Sequence, residues 1–167
     1  MIKAPLPHNE AKRLKALRDL LILDTPPEER FDRISAFAAQ EFDVPIALVS
    51  LVDQDRQWFK SSFGMDDVQE TPRDISFCGH AVAMAKTLVV PDALRDPRFA
   101  DNPMVTGHPY IRFYAGALLR LPYGQVVGTL CIIDRRPREF DRLDAAILGG
   151  LRDLVVEELF RREEAVS

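Results

Sequence analysis

A guanidinium, a thiol and an imidazole fall within eight residues of one another in Arg73-Asp-Ile-Ser-Phe-Cys78-Gly-His80. Ser76 is placed to accept a hydrogen bond from a free backbone N–H in the first turn of a short helix, which the apolar run Ala81 to Met84 continues. A thiolate at Cys78 would then lie near the positive end of the helix dipole, where thiol pKa values fall. That chemistry suits a ligand site or a thiol redox site. The same residues also read as a small buried hydrophobe at Cys78 with His80 as a capping or surface group.

No other stretch carries a stronger signal. Asp53, Asp55, Asp66 and Asp67 are scattered over two loops without calcium-loop spacing and read as solvated turns. There is no nucleophile elbow, no phosphate-cradling glycine loop and no two-histidine zinc spacing. The residues therefore name no catalytic group, no metal and no cofactor. Cys131, in the middle of an apolar strand, reads as a structural thiol out of reach of Cys78.

The elements that must position Cys78 belong to a chain of 167 residues, 47% of them apolar, which is one domain with room for a sizeable core. The net charge of −4 comes from interspersed acids and bases, leaving no basic stripe to follow a phosphate backbone, so nucleic acid is not an expected partner. Two cysteines fall short of a disulfide framework. With no targeting segment and no apolar run of roughly 18 residues, a cytoplasmic protein without a membrane span is expected.

Residues 1–8 hold two prolines and no pattern and read as a flexible arm before a domain over 9–164, with 165–167 as a tail. After Asn9 as cap, Leu14, Leu17 and Leu21 mark one helix face. Thr25-Pro-Pro-Glu28 has capping-box spacing for a second helix with Phe31, Ile34, Ala38 and Phe42 on its apolar side. Val44 to Val52 is a central strand whose one polar residue is Ser50. Gln57 to Phe63 returns as a more exposed antiparallel partner with Trp58, either a pocket wall or strand packing. A polar loop over Gly64 to Asp74 leads to the Cys78 helix, and Thr87 to Pro91 is a brief strand.

Asp92 to Thr106 has neither period and reads as a long, partly helical lid. Ile111 to Leu121 and Gln125 to Asp134 form a hairpin. Phe113, Ala115, Ala117 and Leu119 share one face of its first strand; Arg112, Tyr114, Gly116, Leu118 and Arg120 share the face expected to meet a ligand. Asp141 caps a last helix to about Glu164, with Leu143, Ile147, Leu151, Leu154 and Val155 as its apolar side. The glycines Gly149 and Gly150 within it predict a close helix crossing, since they otherwise weaken the helix. The order predicts an α+β fold with a mainly antiparallel sheet.

Five ordered phrases now carry a resemblance: Val-Ser-Leu-Val-Asp53-Gln-Asp-Arg-Gln-Trp58-Phe, Ile-Ser-Phe-Cys78-Gly-His80, Leu-Val-Val-Pro-Asp92-Ala-Leu-Arg-Asp-Pro-Arg-Phe, Ile-Arg-Phe-Tyr114-Ala-Gly and Gly128-Thr-Leu-Cys131-Ile-Ile-Asp134. Together the chain resembles a GAF domain, in the branch found in bacterial sensor kinases and diguanylate cyclases. The resemblance implies a six-stranded antiparallel sheet, terminal helices packed on one face, a small-molecule pocket under loops on the other, and dimerisation through the helices. The residues that would meet such a ligand are Ser50, Trp58, Arg73, Phe77, Cys78, His80, Asp92, Arg112 and Tyr114. The Asn-Lys…Asp-Glu signature of cyclic-nucleotide-binding members is missing. Gly79 separates Cys78 from His80, unlike the adjacent Cys-His of bilin-binding members.

The expected function is a non-enzymatic sensor of an unidentified small molecule, a homodimer that acts on a signalling kinase or cyclase in trans, because no output segment precedes Ser167. The alternative is a thiol redox sensor, or an enzyme similar to free methionine sulfoxide reductases, centred on Cys78.

Overall fold

The computed structural model describes residues 1–166, with side chains through Arg161. Six strands form one sheet in the order β3-β2-β1-β6-β5-β4, with every neighbouring pair antiparallel. The strands are β1 (Ile46–Val52), β2 (Arg56–Phe63), β3 (Glu70–Pro72), β4 (Leu88–Val90), β5 (Phe113–Arg120) and β6 (Val126–Asp134). The helices are α1 (Glu10–Asp19), α2 (Glu29–Phe42), α3 (Phe77–Met84), α4 (Pro103–Thr106) and α5 (Arg142–Val166). The α+β architecture is the one expected.

Alternation along the strands splits the core in two. Ala47, Val49 and Leu51 of β1, with Phe113, Ala115, Ala117 and Leu119 of β5, face α1, α2 and α5. Ile46, Leu48 and Val52 of β1 face the opposite layer, which α3 and the 92–106 segment cover. Strand β1 is buried along its whole length, as a central strand with both faces covered must be. The segment read as a lid is partly helical: a 3₁₀ turn at Ala93–Arg95 and then α4, whose first residue Pro103 follows the Asn102 cap.

Several local expectations change. Asn9 makes no side-chain cap, and Leu21 lies beyond α1 with positive φ and an exposed side chain, so Leu20 takes the buried place. The Thr25–Glu28 capping box does not form, because Thr25 Oγ1 donates to the Ile22 carbonyl and Glu28 precedes α2 without a side-chain cap. The Phe31, Ile34, Ala38 and Phe42 stripe is buried as read. Strand β2 is buried from Gln57 to Ser61 rather than exposed, and the loop before α3 contains the extra edge strand β3.

Helix α5 starts in a reciprocal cap, Asp144 N–H donating to Asp141 Oδ1 and Asp141 N–H to Asp144 Oδ2. Its buried side is Leu148, Leu151, Val155 and Leu159, whereas Leu143 and Leu154 face outward. No close crossing exists at the glycines: a Cβ on Gly150 would meet nothing within 4 Å, and one on Gly149 would meet only the Arg152 guanidinium at 3.4 Å. Ala165 and Val166 continue the helix backbone, and Ser167 of the expected tail lies outside the described residues.

The N-terminal arm is tied down rather than loose. Ile2 N–H donates to the Arg98 carbonyl and Ala4 N–H to the Asp74 carbonyl, so residues 1–4 lie across the outer side of α3. The Ile2 carbonyl also meets His80 Nε2 at 3.0 Å. Among the described residues, no helix is long and apolar enough to cross a membrane.

Candidate functional site

The Cys78 thiol is where the polar groups of the second layer converge. Ser76 caps α3 by accepting from Gly79 N–H at 2.9 Å, and its own hydroxyl donates to the Arg73 carbonyl at 2.7 Å. This cap sets the first turn of α3 against β6, β5 and β1 and aims Cys78 at the sheet. There its sulfur lies 3.1 Å from the Tyr114 hydroxyl and 3.0 Å from Thr129 Oγ1. Gly116 makes the Tyr114 position possible, because a Cβ on it would occupy the space of the Tyr114 hydroxyl.

Ser50, the one polar residue of β1, also points into this layer, donating to Gln57 Oε1 at 2.9 Å; Gln57 in turn donates to Thr71 Oγ1. Leu48, Gln57, Phe77, Met104, Ile111 and Ile133 close the remaining space around Cys78, Tyr114 and Cys131 to a cavity of about 10 Å³. That is room for one water. Phe77 forms its outer wall, stacked on Phe99 with ring centroids 4.0 Å apart and tilted on Tyr114 at 5.1 Å.

The electrostatics of the cluster are set by burial against directed donors. Burial pushes the Cys78 thiol up, but the Cys131, Ser50, Thr129 and Tyr114 groups around its sulfur outweigh it and bring the thiol to about 7. Burial, and the negative charge that forms first on Cys78, push both Tyr114 and Cys131 well up. Cys131 lines the same cavity as Cys78, closer than expected from its apolar strand.

Of the nine residues expected at a ligand, four come together: Ser50, Phe77, Cys78 and Tyr114. Trp58 points to the other face of the sheet and packs in the terminal-helix core. Arg73 pairs with Glu10 and donates to the carbonyls of Asp53 and Gln54, fixing the 53–56 turn and α1 rather than supporting a thiolate. His80 lies on the outer side of α3, edge-on to Phe99 with centroids 4.8 Å apart, and holds the Ile2 carbonyl. Asp92 accepts from Leu94 N–H and caps the 3₁₀ turn. Arg112 donates to the Val105 and Ile111 carbonyls, fastening α4 to the start of β5. On the face expected to meet a ligand, Arg120 is exposed and donates to the Gly124 carbonyl.

Thr129 and Gln57 belong to the cluster and were not singled out, and Cys131, read from the sequence as a structural thiol, lines its cavity. Thr129 carries the same signal as Ser50, a lone hydroxyl in an apolar strand. Among the described residues, no group of three or more His, Cys, Asp or Glu could hold a metal ion.

A family model described as GAF domain matches residues 26–159. The chain is 42% identical over 160 residues to a Pseudomonas aeruginosa protein named as a cyclic di-GMP phosphodiesterase; the match covers 95% of this chain and spans 27% of that protein. Among solved structures, the GAF domain of an Acinetobacter phosphoenolpyruvate-protein phosphotransferase superposes with a TM-score of 0.66 at 16% identity, over 92% of this chain and 96% of that one. A free methionine-R-sulfoxide reductase from Neisseria meningitidis superposes with a TM-score of 0.66 at 18% identity, over 100% of this chain and 99% of that one. At these identities the two superpositions speak to the fold.

Proposed function

The chain belongs to the GAF domain family, and from that premise we propose that it is a non-enzymatic sensory domain. It takes a small molecule beneath α3 and reports through α1, α2 and α5 to a second copy or to a signalling enzyme. The observation that carries this reading is that Gln57, Cys78 and Tyr114 line one cavity inside an otherwise apolar layer, with Ser50 bonded to Gln57 and Thr129 to Cys78 just behind them. Hydroxyls and amides in such a layer weaken a purely structural core, and they suit a site that orients a polar group.

The described form is the closed one. A ligand larger than water enters only if α3 and the 92–106 segment move outward, exchanging the Phe77–Phe99 stack for contacts with the ligand. Its polar end would meet Tyr114, Thr129 and Cys78, and its apolar part would replace contacts to Met104 and Ile111.

A chain of charges links the sheet to the last helix and supports outward signalling. Lys60 of β2 pairs with Glu28 at 2.6 Å, Glu28 with Arg30 at 3.1 Å, and Arg30 with Glu158 of α5 at 2.8 Å. Phe37 on α2 and Leu143, Leu154 and Phe160 on α5 expose apolar side chains where a second copy would pack. The output enzyme is a kinase, cyclase or phosphodiesterase, the last suggested by the name of the Pseudomonas relative.

Native mass spectrometry of freshly purified protein tests both parts. The expected result is a dimer that retains, or takes up, one small molecule per chain. A chain that stays monomeric at tens of micromolar, on the order where weak dimers are populated, overturns the dimer. A chain with no retained mass and no thermal shift across a metabolite panel overturns the sensor.

A further inference from the structure

Ligand sensing as proposed gives Cys131 no role and uses Cys78 only as a polar contact, yet the two are nucleophiles. Cys78 on the first turn of α3 and Cys131 on β6 line the same cavity, with the Cys78 sulfur 3.0 Å from Oγ1 of Thr129, which shares the inward face of β6 with Cys131. Both are free thiols and fully buried. They belong to different layers, one to the helix that covers the compartment and the other to the strand at its floor. We propose that this pair is a peroxide-responsive latch: a hydroperoxide oxidises Cys78 and Cys131 to an intramolecular disulfide that fastens α3 to the centre of the sheet.

The geometry permits the bond with little movement. A disulfide needs its sulfurs about 2.05 Å apart and Cβ atoms about 3.5–4.5 Å apart, and the two thiols line one cavity with room for no more than a single water, so only that narrow gap has to close. Small neighbours give the required freedom, since Gly116 is the β5 partner of Cys131 and Gly79 follows Cys78. Closing the bond draws the Cys78 sulfur away from Tyr114 and Thr129 and pins the lid that a ligand would have to lift.

The chemistry balances with one peroxide. The Cys78 thiolate attacks one peroxide oxygen; an S–O bond forms, the O–O bond breaks, and the leaving hydroxide or alkoxide takes a proton to become water or an alcohol. Cys78 is then a sulfenic acid. The Cys131 sulfur attacks that sulfur, the S–S bond forms, the S–O bond breaks, and the departing hydroxide takes the Cys131 proton as a second water. Cys78 is the attacking thiol because Tyr114 and Thr129 direct hydroxyls at its sulfur, favouring its thiolate. Cys131 stays protonated until it resolves the sulfenic acid.

The cavity admits one water, so peroxide reaches Cys78 only when α3 lifts. The latch thus reads the open state and, once closed, locks the compartment shut. This inference rests on the compartment reading proposed above, and the test separates the two: ligand uptake by the reduced chain is measured without peroxide.

The full chain is reduced, freed of reductant, exposed to hydrogen peroxide, then denatured, alkylated and mapped by mass spectrometry. The expected product has lost two hydrogens, resists alkylation, carries a Cys78–Cys131 peptide pair and returns to two free thiols with dithiothreitol. Cys131→Ser should instead hold Cys78 as a sulfenic acid that dimedone traps. Tyr114→Phe keeps the ring and both thiols, and disulfide formation should slow by roughly three- to tenfold as the thiolate loses a donor. The proposal is overturned if both thiols remain alkylatable at peroxide levels that oxidise the methionines, if Cys78 over-oxidises in the wild type with Cys131 still free, or if the disulfide joins two chains.

Discussion

The two faces of the sheet are made by the same strands and packed under different rules. Toward the terminal helices, Ala47, Val49 and Leu51, with Leu130 and Ile132, meet Phe31, Ala38, Val155 and Leu159. The polar groups on that side, Ser35 and Ser61, lie in a chain that runs out to Asp32. Toward α3, neighbouring positions on the same strands present Ser50, Thr129 and Cys131, each inside a ring of apolar residues. The first face is filled like any core, where lost volume is lost stability. The second holds hydrogen-bonding groups that an all-apolar layer could replace, and the proposed site rests on that difference.

The sharpest break of this comparison is a large-to-small change on the helix face. Phe31 is fully buried, with the Arg30 guanidinium 4.8 Å from its ring centroid. Phe31→Ala should cost about 3–5 kcal/mol, read by urea unfolding. A loss below about 1 kcal/mol would mean that the helices do not form the principal core.

On the opposite face the matching change is Tyr114→Phe, which removes a hydroxyl and leaves the packing. Its expected cost is about 1 kcal/mol, because Cys78 and Thr129 still hydrogen-bond one another. A cost as large as that of Phe31→Ala would show the polar cluster to be a structural keystone, and the distinction between the faces would fail.

Legibility followed the same division. The helix-face pattern was readable because it depends on period alone: Phe31, Ile34, Ala38 and Phe42 recur at helical spacing, and Phe113, Ala115, Ala117 and Leu119 alternate along a strand. The Ser76 cap and the Asp141 start were local signals and hold. The site depends instead on pairing between distant strands. Cys131 lies beside Leu48 of β1 and Gly116 of β5, and no spacing within β6 reveals that α3 sets Cys78 above it. Arg73 stood near Cys78 in sequence, yet its partner Glu10 is 63 residues away, so proximity in the chain pointed to the wrong role. Three-residue β3 was illegible because Glu70-Thr-Pro72 has neither apolar residues nor length.

A gentler test concerns the outer side of the helix layer. Gly150 faces open space, so Gly150→Ala should raise stability by up to about 1 kcal/mol through helix propensity, measured as a higher Tm. A lower Tm would place a second chain against Gly150, along the outward stripe of Leu143 and Leu154.

The smallest effect expected is a pH dependence on the α3 side, through His80. Burial lowers its pKa below the ordinary 6.5, the Ile2 carbonyl opposes this, Arg98 adds to it and Asp96 works against it. A histidine that is harder to protonate when folded contributes stability that is complete above the unfolded value of 6.5 and is lost as pH falls through the lower folded value. The carboxyls of Glu10, Glu28 and Asp96 lie below their ordinary values of 4.5, 4.5 and 3.8, so they leave the range from 6.5 to about 5 to His80. Cys78, lowered to about 7 from 9.0, acts above that range. Urea midpoints should therefore decline slightly from pH 6.5 to about 5, and His80→Gln, which keeps a donor for the Ile2 carbonyl, should flatten the decline. If the slope persists in His80→Gln, the N-terminal arm is not held across α3 by this imidazole, and the two faces differ by packing alone.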